Sequence, residues 1–358
     1  MICFFCATPY HIMLALIIKN TTMCNFKTDI IIYNHFSSAS QVYKKLLSAE
    51  IFTNVYFIDE NSYGLLGKIK RASHVFWPSK VIKLIAKRKR YSEIIFFSLD
   101  FLNIAYIIKE YEKCNVKCEF SYGEDGIGTY VDKKVYIPSK FVDIILYITN
   151  RRHYLDRIRK LYLSEPSLLQ CNFFSTLKKI ETGAVNKELD YCKKVLWPEA
   201  GNLQLNTVIY LQQPFSGIVN SKVLDLERDI CQICFNIFAD RFLIKLHPRT
   251  KYYSNLSNQI YKDNIPFECL ISNSMDENHI IISVASTAAF TPLLLYNRRP
   301  YLIFIYDLIP DYKLLYRKEF KDFLSRFEET LQYKERIFIP QSKEETVKIL
   351  LGLSRKIH

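Results

Sequence analysis

Short apolar runs rich in β-branched and aromatic residues alternate along the chain with segments whose apolar positions recur at helical spacing. In the first half the runs are Ile2–Ala7, Asp29–Asn34, Asn54–Ile58, Glu93–Ser98 and Lys117–Tyr122. Helical patterns lie between them near 10–20, 38–50, 79–90 and 101–114. The runs are nearly continuous in apolar residues, as expected for strands covered on both faces by helices. Alternation at this spacing predicts βαβ units and a parallel sheet.

A less regular region follows. Thr129–Val131 and Lys134–Ile137 flank Asp132-Lys133 and read as a hairpin, and the basic stretch Arg151–Tyr162 reads as a helix. Residues 163–205 carry Pro166, Pro198 and Gly201 with few strand signals, which places a domain boundary there and divides the chain into 1–198 and 199–358. The alternation then resumes. Strands are expected at Thr207–Leu211, Phe242–Leu246, Glu268–Ile271, Ile280–Ala285, Tyr301–Ile305 and Arg336–Ile339, with helices near 221–238, 287–296 and 343–354. The pattern is that of two α/β halves with a cleft between them, without an internal repeat of solenoid period.

Length agrees, since 358 residues suit two domains. Only 9 glycines occur, and neither a P-loop nor a G-x-G-x-x-G is present, so a glycine-rich phosphate cradle is not expected. The ten cysteines lie mostly in apolar runs. The spacings Cys3-x-x-Cys6 and Cys231-x-x-Cys234 lack a second pair at finger-like distance, so buried free thiols and a reducing cytosol are expected. Residues 1–20 are apolar but have no basic leader and break at Thr8-Pro9, which reads as a strand and helix rather than a signal peptide or membrane span. The net charge of +13 favours an anionic partner: a nucleotide-activated substrate, nucleic acid or an anionic membrane surface.

Ligands of open α/β sheets bind beyond the carboxyl ends of the strands. Those ends carry Thr8-Pro9-Tyr10-His11, Gly123-Glu124-Asp125-Gly126, Gln212-Gln213-Pro214, Lys245-Leu246-His247-Pro248-Arg249 and Ser286-Thr287. A carboxylate of Glu124-Asp125-Gly126 has the chemistry to take a proton from a sugar hydroxyl, although Asp-Gly is also a common turn pair. His247, beside Lys245 and Arg249 and fixed by Pro248, has the chemistry to protonate a leaving phosphate, or to pack as a strand-end histidine. Ser286 and Thr287 enter a helix, where hydroxyls and unpaired N–H groups hold anions or simply cap. His11 starts a helix facing the cleft. The runs Lys87–Arg90 and Arg151–Lys160 are solvated faces or, in the second case, a membrane-facing amphipathic helix carrying Leu155, Ile158 and Tyr162.

Taken in order, Glu124-Asp125-Gly126, His247-Pro248 and Ser286-Thr287 resemble the D/E-D/E-G, HP and Ser-Ser/Thr motifs of the bacterial sialyltransferases. Cys6-Ala7-Thr8-Pro9, the Arg249 after the HP pair and Pro266-Phe267-Glu268 are similar to glycosyltransferase family 52, which includes lipooligosaccharide, O-antigen and capsule enzymes. The resemblance implies a GT-B fold of two Rossmann-like domains facing a central cleft. It implies inverting, metal-independent transfer of sialic acid from CMP-sialic acid to a galactose-terminated surface glycan, with no cofactor. The absence of any Asp-x-Asp agrees. In that reading Asp125 is the acceptor base, His247 donates to the departing phosphate, and Ser286 and Thr287 hold it. Glu268 reads the cytidine, and Gln212 and Gln213 line the donor loop. Thr8, Pro9, Glu124, Gly126, Lys245, Pro248 and Arg249 complete the substrate contacts. The expected place is the cytoplasm, with peripheral contact to the inner face of the anionic membrane.

Two other classes stay open. One is a hexosyltransferase of the same fold using another nucleotide-sugar. The other is a non-enzymatic anion-binding module, which the scatter of aromatics away from the basic patches disfavours as a nucleic-acid binder.

Overall fold

In a computed structural model of the chain, the apolar runs pair side by side as two all-parallel sheets. The structure describes the chain except residues 60–77, 89, 98–99, 132–136, 171–173, 183–184, 199–207, 214–218, 248–258, 262–264, 272–274, 310–316, 334 and 358, and the side chains of 185–189, 192, 219–222 and 317. Pro248, Arg249 and Pro214 lie outside the described residues.

The N-terminal sheet contains β1 (Ile2–Cys6), β2 (Thr28–Tyr33), β3 (Asn54–Ile58), β4 (Glu93–Phe96), β5 (Glu119–Gly123), β6 (Ile158–Leu163) and β7 (Thr176–Lys179). Its order is β3-β2-β1-β4-β5-β6-β7. Its helices include α1 (Pro9–Asn20), α2 (Ala39–Ser48), α3 (Lys80–Arg88), α4 (Phe101–Lys113), α5 (Gly128–Val131) and α6 (Lys140–Ile148). α1 is buried from His11 to Ile18, as its apolar residues on every side require.

The C-terminal sheet contains β8 (Val208–Leu211), β9 (Phe242–Lys245), β10 (Ile260–Tyr261), β11 (Ile280–Ser283), β12 (Tyr301–Phe304) and β13 (Ile337–Phe338), in the order β10-β9-β8-β11-β12-β13. Contacts divide the chain into two units. The first is Met1–Ala184 with Lys194–Leu196, and the second is Val185–Lys193 with Trp197–His358. The helix Val185–Leu196 is thus shared between them.

Both sheets carry the strand order of a doubly wound Rossmann fold. The winding reverses beside the first strand of each unit, at β1/β4 and at β8/β11. Helices leave those strand pairs in opposite directions, and the carboxyl ends between them are where such folds hold ligands.

Three expectations need correction. Arg151–Tyr162 is not a helix: a 3₁₀ turn at Arg152–Arg157 runs into strand β6. There Ile158, Leu161 and Tyr162 are buried, and Lys160 answers the carboxylates Glu93 and Glu119. A helical reading fits the spacing of those apolar residues equally well, and pairing between β5 and β7 decides for the strand. Glu268–Ile271 is not a strand but part of the helix α7 (Phe267–Ile271), whose first turn closes on the Pro266 carbonyl. A short, mostly apolar run does not tell a buried helix from a buried strand, and a preset proline φ starts the turn. Finally, Thr129–Val131 belongs to α5 rather than to a hairpin, whose second arm falls largely outside the described residues.

Candidate active site

β1 ends at Cys6, and Thr8 caps α1 by accepting the His11 N–H at 3.2 Å, with Pro9 preset at the first helical position. This cap turns the His11 ring back under the strand end. Its Nδ1 accepts the Ala7 N–H at 3.1 Å, so the neutral ring carries its proton on Nε2. That nitrogen lies 2.5 Å from Asp125 Oδ1. Phe97, at the end of β4, stacks on the ring with centroids 5.5 Å apart. Phe97 fits because position 123 is glycine: a Cβ there would come within 2.1 Å of the Phe97 ring. The ends of β1, β4 and β5 therefore build one constellation at the first switch point.

The two adjacent carboxylates have opposite surroundings. Glu124 is fully buried and accepts from Tyr10 Oη, from Tyr130 Oη at 2.5 Å, and from the Ser164 backbone N–H and hydroxyl at 2.6 and 2.9 Å. Burial first, and then the Glu124 charge, push the Tyr130 phenol well above its ordinary pKa, so it stays a donor. Asp125 has 49% of its side chain exposed. Its backbone N–H donates to Thr129 Oγ1 at 2.8 Å, and Gly126 turns the chain with φ 84°, a conformation that favours glycine. His11 has both ring nitrogens engaged and is 1% exposed. Of the two carboxylates, Asp125 is the exposed one, and His11 fixes it in position.

Glu124→Gln is expected to cost stability before it costs chemistry. A glutamine offers one oxygen where the carboxylate meets four donors. Each buried donor left without an acceptor costs about 1–3 kcal/mol. Thermal unfolding should show a clear loss, and kcat should fall less than on replacing Asp125. An unchanged melting temperature would sink this account of Glu124.

The second switch point gathers the other strand ends. Leu211 stands in register with Lys245 on one side and Ser283 on the other, so the residues after β9, β8 and β11 emerge along one sheet edge. Gln212 is buried and donates its backbone N–H to the Lys245 carbonyl at 3.1 Å. Gln213 Oε1 accepts the Ala285 N–H at 2.7 Å, tying the β8 end to the turn that carries Ser286. That turn is also held by the Ser286 N–H donating to Ser283 Oγ at 3.1 Å. His247 is half-buried two residues beyond β9, and Thr287 opens a 3₁₀ turn with its side chain exposed. At the far side Lys245 Nζ lies 5.5 Å from the Tyr261 ring centre. Burial raises the Glu268 carboxyl above its ordinary pKa while the Lys245 charge opposes it.

Sequence reasoning missed Tyr130, Ser164 and Phe97 as parts of the site, and it named Tyr10 and Gly123 only within the strand-end segments, without a role. It placed His11 at the start of a helix facing the cleft, without its carboxylate partner. One signal was present: Tyr10-His11 sits at the end of the first strand, where ligands of this architecture bind. Among the described residues no group of three or more His, Cys, Asp or Glu side chains is placed to hold a metal.

A structural relative is the UDP-GlcNAc 2-epimerase of Methanocaldococcus jannaschii in complex with UDP-GlcNAc and UDP. It is 13% identical, with TM-score 0.58, over 99% of this chain and 92% of that one. The glycosyltransferase SnogD from Streptomyces nogalater aligns over 100% and 94% at 9% identity and TM-score 0.48. The spinosyn rhamnosyltransferase SpnG does so over 100% and 95% at 13% and 0.47. With the two doubly wound units, the first of these establishes the GT-B class of fold. No curated protein matches the chain. Residues 2–300, which span both switch points, match the alpha-2,8-polysialyltransferase (POLYST) family. The sialyltransferase class that the resemblance implied is therefore supported, and the chain belongs to the alpha-2,8-polysialyltransferase family.

Proposed function

We propose that the protein is an inverting sialyltransferase that takes sialic acid from CMP-sialic acid and adds it to a hydroxyl of a glycan acceptor. The observation that carries this reading is the exposed Asp125 carboxylate, fixed by a buried histidine at a strand end, in a chain of the alpha-2,8-polysialyltransferase family. The acceptor hydroxyl gives its proton to Asp125, and its oxygen attacks the anomeric carbon of the donor. The bond from that carbon to the phosphate oxygen breaks, and CMP leaves with the electron pair. His247 protonates the departing phosphate, while Ser286 and Thr287 hold it as charge develops. Gln212 and Gln213 shape the turn beside it, and Lys245 and Glu268 form the end of the donor site that reads the base. The reaction as written calls on no cofactor.

The family's name favours a sialic acid-terminated acceptor over the galactose-terminated one that the motif resemblance implies, and capsule or lipid-linked surface glycans supply both kinds of end. The test is product analysis after incubation with CMP-sialic acid or UDP-sugars and with acceptors ending in galactose or in sialic acid. Growth of a sialylated acceptor by one or more residues, only with CMP-sialic acid, is the expected result. Transfer from a UDP-sugar alone would replace this reading with the hexosyltransferase one. No transfer, with oligonucleotides and CMP stabilising the protein equally, would favour a binding module.

A further inference from the structure

α6 (Lys140–Ile148) is apolar on two sides. Leu146 is buried against Leu102 and Ala105 of α4, with Val142 and Ile145 packed alongside. The other side presents Phe141 and Ile144, each 56% exposed, and Tyr147 and Ile148, each 75% exposed, with Ile137 exposed just before the helix. Solvated helices carry polar residues on that side. At nine residues α6 is about 13 Å long, against about 30 Å of bilayer hydrocarbon, so it cannot span a membrane.

The charge around this face has one prevailing sign. Lys140 opens α6, and Arg151 and Arg152 follow it. Asp143, the acidic residue of α6, is paired with Arg152 at 2.8 Å. α4 packs against both α6 and α3 (Lys80–Arg88), so the three form one helical layer. On α3 the side opposite buried Ile82, Ile85 and Ala86 exposes Lys80, Lys83 and Lys87, with Leu84 among them. Arg88 and Arg90 instead turn to the buried Asp29, at 3.8 and 3.1 Å. On α4, burial and the nearby charges of Arg151 and Lys113 lower the pKa of Lys109.

We propose that the exposed side of α6 and the lysine stripe of α3 form a docking face for an anionic lipid bilayer, with α6 lying in the interface plane. Phe141, Ile144, Tyr147 and Ile148 enter the headgroup–acyl boundary, and Lys80, Lys83, Lys87 and Lys140 meet lipid phosphates. This replaces Arg151–Tyr162 as the membrane-facing helix.

The full-length chain should co-sediment with phosphatidylcholine vesicles containing a third phosphatidylglycerol, much less with pure phosphatidylcholine, and less as salt rises. Ile144→Glu/Tyr147→Glu/Ile148→Glu should lower the partition coefficient at least tenfold with the melting temperature kept. Lys80→Gln/Lys83→Gln/Lys87→Gln should lower it about fivefold per lysine at low salt. The single variant Tyr147→Glu serves if the triple one fails to fold. Wild-type binding that is absent, or equal for neutral vesicles, overturns the proposal, and so does undiminished binding of the α6 variants. A dimer in sedimentation velocity that the α6 substitutions disperse, without vesicle binding, would make this face a contact between two copies and overturn it too.

Discussion

Asp125→Asn should lower kcat by about 10²-fold or more, within the roughly 10²–10⁴ that a general base contributes. The substitution keeps the shape and leaves an oxygen for His11 Nε2–H to donate to, so the fold around the 2.5 Å contact should survive. What it removes is the capacity to take a proton. The residues proposed to hold the donor lie in the other unit, so the affinity for CMP should change little. A His11→Leu variant leaves Asp125 present but unfixed and should fall between wild type and the Asn variant, chiefly in kcat. Steady-state kinetics beside a thermal melt separates these outcomes. A folded Asn variant with near-normal kcat would return Asp125-Gly126 to the role of a turn.

His247→Ala should produce a comparable fall in kcat with only a modest rise in donor KM, because a proton delivered to a leaving group matters most in the transition state. Ser286→Ala/Thr287→Ala should raise donor KM as well, since in the proposed mechanism those hydroxyls also hold the ground state. The sheet supports grouping them: β9 and β11 flank β8, so the chain leaves the sheet toward His247 and toward Ser286 about 10 Å apart, twice the interstrand spacing. The Gln213–Ala285 hydrogen bond closes part of that gap. Measuring kcat and KM for CMP-sialic acid in the three proteins is decisive. Equal effects on KM in both variants, with kcat unchanged, would make His247 a binding residue and leave the departing phosphate without its donor.

Most of the architecture was legible because parallel strands buried on both faces write themselves as apolar runs. Asn54–Ile58 and Lys343–Ser354 match the expected limits to the residue, and the other βαβ strands of the first half fall within a few residues of theirs. Errors fell where local pattern is degenerate. Ile158, Leu161 and Tyr162 satisfy a helical or a strand period, and only the neighbours β5 and β7 choose. Phe267–Ile271 is apolar but for Glu268 and fits a buried helix as well as a buried strand, and the strand beside β9 is Ile260–Tyr261. Twelve residues of α1, by contrast, were signalled by Thr8-Pro9 before an apolar stretch, a local cue that tertiary contacts did not need to override.

The sequence by itself determined that two parallel α/β units exist and that chemistry-bearing residues cluster after their strands, because strand ends and turn residues are local properties. It also carried the order of the acidic, HP and Ser-Thr segments. Only the tertiary structure decided which carboxylate of the adjacent pair is available. Glu124 and Asp125 are one residue apart and chemically alike, yet the side chains of Tyr10, Tyr130 and Ser164, up to 114 positions away, bury the first. His11, also 114 positions away, fixes the second while leaving it exposed. Such a division depends on burial and on donors brought in from other strands, and neither is written in the spacing of the residues concerned.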